Sequence, residues 1–182
     1  MAAIALTDHF VQWHRLSFLE RGLVDEPCHF ATAMVVLGAL SRWRGRPPCA
    51  AFTRAMLISS VAIDVDHLPL EFGSPVLTAG TPRPYTHALW VVVLSAAIAL
   101  AARRRARVSG SPAATSVTAI AAGTAWGLAA HFLRDIATAP ISLWWPVTDA
   151  PVECPYAWYL VAMLILVALP VPRRTGAAGR GH

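Results

Sequence analysis

Hydrophobic positions along the chain gather into five sustained runs, roughly His29 to Leu40, Ala50 to Ile63, His87 to Ala102, Val117 to Leu133 and Tyr156 to Leu169. Several fall short of the ~20 residues that cross a bilayer comfortably, so flanking aromatic and polar residues must complete them. The first run is the weakest and also fits a short, packed or re-entrant helix. The pattern predicts an all-α fold, a polytopic membrane bundle of about four to five transmembrane helices. Ahead of it, "MAAIALTDHFVQWHRL" carries His9, Trp13 and His14 in what reads as a short amphipathic helix on the outer interface. A loosely ordered surface segment is the alternative there. With no basic leader, and Asp8 breaking its apolar start, this stretch does not read as a cleavable signal peptide. The expected organisation is one integral membrane domain: an interfacial segment over 1–28, a helical core over 29–171 and a flexible cytoplasmic tail over 172–182.

Composition strengthens the membrane reading. Of 182 residues, 56% are hydrophobic and only 14% charged, whereas a soluble domain averages about a quarter charged. A net charge of +5 raises the question of nucleic acid, but a basic binding face should interleave polar and aromatic groups. Every basic residue here is arginine, set in short clusters between apolar runs. No nucleic-acid partner is expected. Three cysteines without CxxC spacing give no Cys-based zinc site and read as free thiols. Cys28 and Cys154 fall on the same expected oxidising face, which leaves a disulfide between them open.

The arginine clusters also set sidedness. Arg42, Arg44, Arg46 and Arg54 separate runs one and two, Arg103, Arg104, Arg105 and Arg107 separate runs three and four, and Arg173, Arg174 and Arg180 follow run five. If all five runs cross, these clusters share one side, which the positive-inside rule makes cytoplasmic. All ten acids and every histidine except His182 then lie on the opposite, non-cytoplasmic side.

That side holds the candidate chemistry. His29 opens run one. "VAIDVDHLPLEFG" closes run two with Asp64, Asp66 and His67. His87 opens run three, with Thr86 expected as its helix N-cap. "HFLRD" closes run four, where His131 and Asp135 are four apart and share a helix face. Asp64 and His67 share a face by the same geometry, leaving Asp66 to point elsewhere or join from a frayed end. An acid within a membrane segment costs on the order of 2.5–3.5 kcal/mol, so these groups are functional candidates. Together His29, Asp64, Asp66, His67, His87, His131 and Asp135 form a nitrogen and oxygen donor set that suits one or two divalent ions, Zn²⁺ first, with Mn²⁺ or Fe²⁺ also fitting. The bland alternative is a polar network in which Asp64 and Asp135 pair with Arg83 and Arg134 to tie helix ends together.

In order and spacing, "CHFATA", "DVDHLP", "RPYTHALW" and "HFLRDIAT" running to "LWWPV" resemble the YdjM-like inner-membrane proteins, regarded as metal-dependent hydrolases. Family members show a His near the first helix start, then DxDH, HRGxTHS and SHxxxDxxT before a WP turn. Departures are Pro82 for the His before Arg, Pro84 for Gly, Ala88 for the Ser after THS and Ala130 for the Ser before the fourth-helix His. The ligand pattern is also similar to zinc-dependent phospholipase C, by analogy only. The resemblance implies an inner-membrane hydrolase. Its expected substrate is a lipid or lipid-linked phosphoester, cleaved by metal-activated water on the non-cytoplasmic side. Whichever of Asp64 and Asp66 is not a tight ligand is the expected general base, Asp66 first, with Arg83 and Arg134 neutralising the substrate's phosphate or carboxylate; Arg83 equally fits snorkelling to head groups. Rival readings are a metal-ion or proton-coupled transporter and a non-catalytic scaffold with a structural metal. Trp144 and Trp145 in "ISLWWPV" read as an aromatic belt.

Overall fold

A run of apolar sequence becomes a helix where its ends are signalled, and those signals place the helices here. In the computed structural model, residues 2–14, 16–78, 80, 81 and 83–168 are described. The expected tail, with Arg173, Arg174, Arg180 and His182, lies outside them, as does Pro82. Helix α1 spans Ala2–Trp13 and α2 spans Phe18–Arg44. The second is much longer than the apolar run predicts, because a capping box opens it: the Ser17 hydroxyl accepts from the Glu20 N–H, and the Glu20 carboxylate accepts from the Ser17 N–H. Gly45, at φ 65°, closes it in the left-handed conformation that a Cβ would oppose. After Pro47 and Pro48, α3 spans Ala50–Ala62, tightens into a 3-10 turn over Ile63–His67, and ends in the short α4, Leu68–Glu71.

Helix α5 spans Leu89–Ser109, α6 spans Pro112–Thr138 and α7 spans Tyr156–Ala168. Ser111 caps α6 with Pro112 at its first turn, where the missing N–H costs nothing. Ala88, not Thr86, is the N-cap residue of α5; the Thr86 hydroxyl donates instead to Asp66. All five apolar runs are therefore helical. Among the described residues there is no strand, only an isolated antiparallel bridge between Ile141 and Val152. By length and apolar composition α2 and α6 qualify as membrane spans. At 13 residues each, α3 and α7 reach only about 20 Å.

The core has two parts. Helices α2, α3 and α6 meet through Ala33, Val36, Phe52, Met56 and Ala130, while α1, α2, α6 and α7 meet through Ile4, Cys28, Ala137, Tyr159 and Met163. Helix α1 is thus docked by one face, with Ile4 and Asp8 buried, and shows Leu6 and Trp13 outward. Cys28 and Cys154 are free thiols. The α3–α6 contact depends on glycine. A Cβ at Gly123 would fall on the Phe52 carbonyl, and one at Gly127 on the Met56 carbonyl and the Ser59 hydroxyl, the small-residue logic that lets helix backbones approach. Gly127→Leu is expected to lose about 1–3 kcal/mol by overpacking, read as a lower melting temperature in detergent. Gly22→Ala, where nothing lies within 4 Å, should melt no lower than wild type. Equal melting of both variants would refute the close approach.

Candidate metal centre

Three helix ends and one mid-helix position deliver polar side chains to one place; His29, expected to open the first helix, lies well inside α2 because that helix starts at Phe18. His29 projects from the first half of α2, Asp64, Asp66 and His67 from the 3-10 turn, His87 from the residues before α5, and His131 and Asp135 from the last turns of α6. The 3-10 winding matters: at three residues per turn, side chains three apart eclipse, so Asp64 and His67 stand on one edge, with His67 Nε2 3.5 Å from Asp64 Oδ1. Asp66 does not point away. His87 bridges the two acids, its Nε2 3.0 Å from Asp64 Oδ1 and its Nδ1 3.1 Å from Asp66 Oδ2. All seven expected donors are brought together.

Helix α6 supplies the deepest pair. His131 Nε2 is 3.1 Å from Asp135 Oδ2, and the opposite ring nitrogen, Nδ1, lies 2.9 Å from the Ser60 carbonyl oxygen. A carbonyl only accepts, so Nδ1 carries the proton and donates, and the Nε2 lone pair faces the cluster. His29 stacks on His131, with ring centroids 3.8 Å apart, and its Nε2 is 3.5 Å from Asp135 Oδ1. Arg83 donates to Asp135 at 2.7 Å. That half of the expected polar network exists.

The electrostatics favour cations. Burial opposes charge on His87, but the Asp64 and Asp66 carboxylates outweigh it and push the imidazole up to about 9. Burial raises Asp64, yet the hydrogen bond with His87 and the neighbouring histidines more than compensate and hold it below the usual carboxylate range. His67 moves down, by burial first and then by the charge of His87.

Several buried polar atoms nonetheless have no hydrogen-bond partner. They include both ring nitrogens of His29, Nε2 of His131, and one carboxylate oxygen each of Asp64, Asp66 and Asp135. Buried polar groups are nearly always satisfied, so unsatisfied atoms gathered at one point, all of them good donors to a cation, fit a metal. Three groups have donor atoms within 4.8 Å of one another: His29, His131 and Asp135; Asp64, His87 and His131; and Asp66, His67 and His87. These buried His and Asp groups could hold a metal ion.

A cavity of about 930 Å³ opens beside the cluster, lined by Asp64, His67 and Arg83 and by the α2 residues Arg21, Asp25 and Glu26. Asp66 is absent from this wall, held instead by Thr86 and His87. Arg134, expected beside Arg83 at the substrate, is elsewhere: it is 1% exposed and gripped by Asp8 of α1 and Asp25 of α2. Asp8 also accepts from the Tyr156 hydroxyl. Three acids near the site, Asp8, Asp25 and Glu26, escaped the sequence reading. Glu26 had a usable signal, since Glu26 and His29 are three apart on one helix face; Asp8 had none, because only tertiary packing brings α1 to α6.

The aromatic turn is split in role. Trp144 is exposed as a belt residue would be, whereas Trp145 stacks on Tyr85 at 4.7 Å, two residues before His87.

The model of the YdjM inner membrane protein family matches residues 24–181. The chain belongs to that family. Every donor described above falls inside the YdjM match, while α1 and Asp8 precede it. No curated protein and no solved structure matches the chain.

Proposed function

We propose that this YdjM-family protein is a membrane-embedded, metal-dependent hydrolase that cleaves a phosphoester of a lipid or lipid-linked substrate at the non-cytoplasmic interface. One observation carries the reading: the buried, unpartnered His and Asp atoms lie beside an open cavity whose wall also presents Arg21 and Arg83. A purely structural network would satisfy those atoms.

His29, His131, Asp135, Asp64, Asp66, His67 and His87 would hold the ion or ions, and the mixed nitrogen and oxygen set suits Zn²⁺, with Mn²⁺ or Fe²⁺ as alternatives. When bound, the metal supplies Lewis acidity, activating water and drawing charge from a phosphoryl oxygen. The Nδ1–H to Ser60 contact keeps the His131 lone pair on the site. Asp66 keeps His87 in orientation. Glu26, on the cavity wall and against Asp64, is placed for the proton-accepting part first expected of Asp66. Arg83, 18% exposed at its side chain, can swing from Asp135 to an incoming phosphate. Arg134 has no such freedom.

A non-cytoplasmic site follows if α2, α3, α5, α6 and α7 all cross. Arg42 donates to the Leu166 carbonyl, so the C-terminal ends of α2 and α7 meet at the arginine-bearing end, as alternating spans require. Exposed Leu23, Val65 and Leu68 border the cavity and suit an acyl or isoprenoid chain.

The test is release of head group or phosphate from phospholipid and lipid-phosphate vesicles by the metal-loaded protein, beside a chelator-stripped sample. Turnover that disappears on stripping and returns with metal is expected. Stoichiometric metal without turnover on any of these substrates would leave transport or a structural metal as the function.

A further inference from the structure

The donor set is too spread out for one ion. Donors bonded to a single ion at 2.0–2.2 Å can be no more than about 4.4 Å apart. Among the described residues, no group with all donors within 4.8 Å joins His29 or Asp135 to Asp66 or His67. Of the three groups, two have no common member, His29, His131 and Asp135 at the α2–α6 side and Asp66, His67 and His87 at the 3-10 turn, while the third, Asp64, His87 and His131, shares one histidine with each. Asp64 lies between them. Its Oδ1 is 3.6 Å from His131 Nε2 in the first group, and 3.5 Å from His67 Nε2 and 3.0 Å from His87 Nε2 in the second. Its Oδ2 is buried and has no partner.

Charge points the same way. Six carboxylates, those of Asp8, Asp25, Glu26, Asp64, Asp66 and Asp135, face the two guanidiniums of Arg83 and Arg134 in one connected region. Acids outnumber bases there, an imbalance that bound cations would offset. Glu26 sharpens the imbalance: it lies against Asp64, and its Oε2 is buried without a partner. Two carboxylates side by side in a poorly solvated site repel unless one takes a proton or a cation lies near both.

We infer that the centre is binuclear, with one divalent cation held by His29, His131 and Asp135, a second by Asp66, His67 and His87, and Asp64 as the carboxylate shared between them. This rests on the metal centre of the proposed function and not on its hydrolytic step. Both groups are filled from different helices, so each ion would tie the 3-10 turn or α6 to a separate neighbour. A pair of ions on a shared carboxylate is also the arrangement that clamps the attacking and leaving oxygens of a displacement at phosphorus.

The experiment counts metal. Full-length protein in detergent is loaded with Mn²⁺ or Zn²⁺, freed of excess by gel filtration and analysed by plasma mass spectrometry, with Mn²⁺ samples also examined by electron paramagnetic resonance. Two ions per chain and a spin-coupled manganese signal are expected. His67→Ala, at a side chain 23% exposed and so tolerant of truncation, should lower the count to one and abolish the coupling. A wild-type count of one, or two ions retained in His67→Ala, overturns the inference. Turnover with one ion would leave the hydrolase reading standing without a binuclear centre; two ions without turnover would do the reverse.

Discussion

Asp135→Asn is expected to remove metal from the protein and to lower hydrolysis by at least about a hundredfold, the upper end of what losing even an outer-sphere partner of a metal site costs. No other donor is so central. Asp135 is fully buried and lies 3.1 Å from His131, 3.5 Å from His29, 3.8 Å from His87 and 2.7 Å from Arg83. Asparagine keeps the volume and can still accept from Arg83, so the fold should persist while the charge that holds a cation is gone. The measurement is metal content and turnover beside wild type, with circular dichroism and gel filtration reporting that the helices and particle size are unchanged. His131→Ala should give the same metal loss by removing the Nε2 donor. An Asp135→Asn protein that keeps its metal and its turnover would refute the assignment of this cluster as the centre.

Arg134→Ala should act on stability instead. Its guanidinium is buried between Asp8 and Asp25, and removing one partner of a buried ion pair costs about 3–5 kcal/mol, because the remaining charges stay unpaired in a poorly solvated place. For a chain of this size that corresponds to a melting temperature lower by roughly 6–20 °C. Arg134→Lys should recover only part of the loss, since an ammonium is a point charge and cannot fork two carboxylates. If Arg134 gripped substrate, as its neighbour Asp135 first suggests, alanine would cut kcat/KM and leave melting unchanged. That outcome would return Arg134 to the active site.

These two residues show how far sequence reading reached. His131 and Asp135 were legible because a helix fixes which residues share a face, and a four-residue spacing needs no knowledge of the rest of the fold. Arg134, between them in sequence, points about 60° away from His131 and about 100° away from Asp135. Its partners lie on α1 and α2, more than a hundred residues back, and no periodicity reports such contacts. From sequence alone α2 starts too late for a different reason: its first turns mix apolar residues with charged ones, Gly22 and Pro27, and the Ser17–Glu20 capping box starts the helix well before the sustained apolar run begins.

By itself the sequence determined the five helices, the clustering of arginines at one set of ends and of acids and histidines at the other, and the seven candidate donors, because apolar runs, caps and helical spacing are local properties of the chain. Only the tertiary structure decided which donors group together, that Asp64 stands between two such groups, that Asp66 is turned from the cavity and that Arg134 is a buried tie to α1. Each of these depends on how the helices approach, and that approach is set by close packing, as where Gly123 and Gly127 let α6 reach the backbone of α3. Packing of that kind is a property of pairs of surfaces, which no single stretch of chain contains.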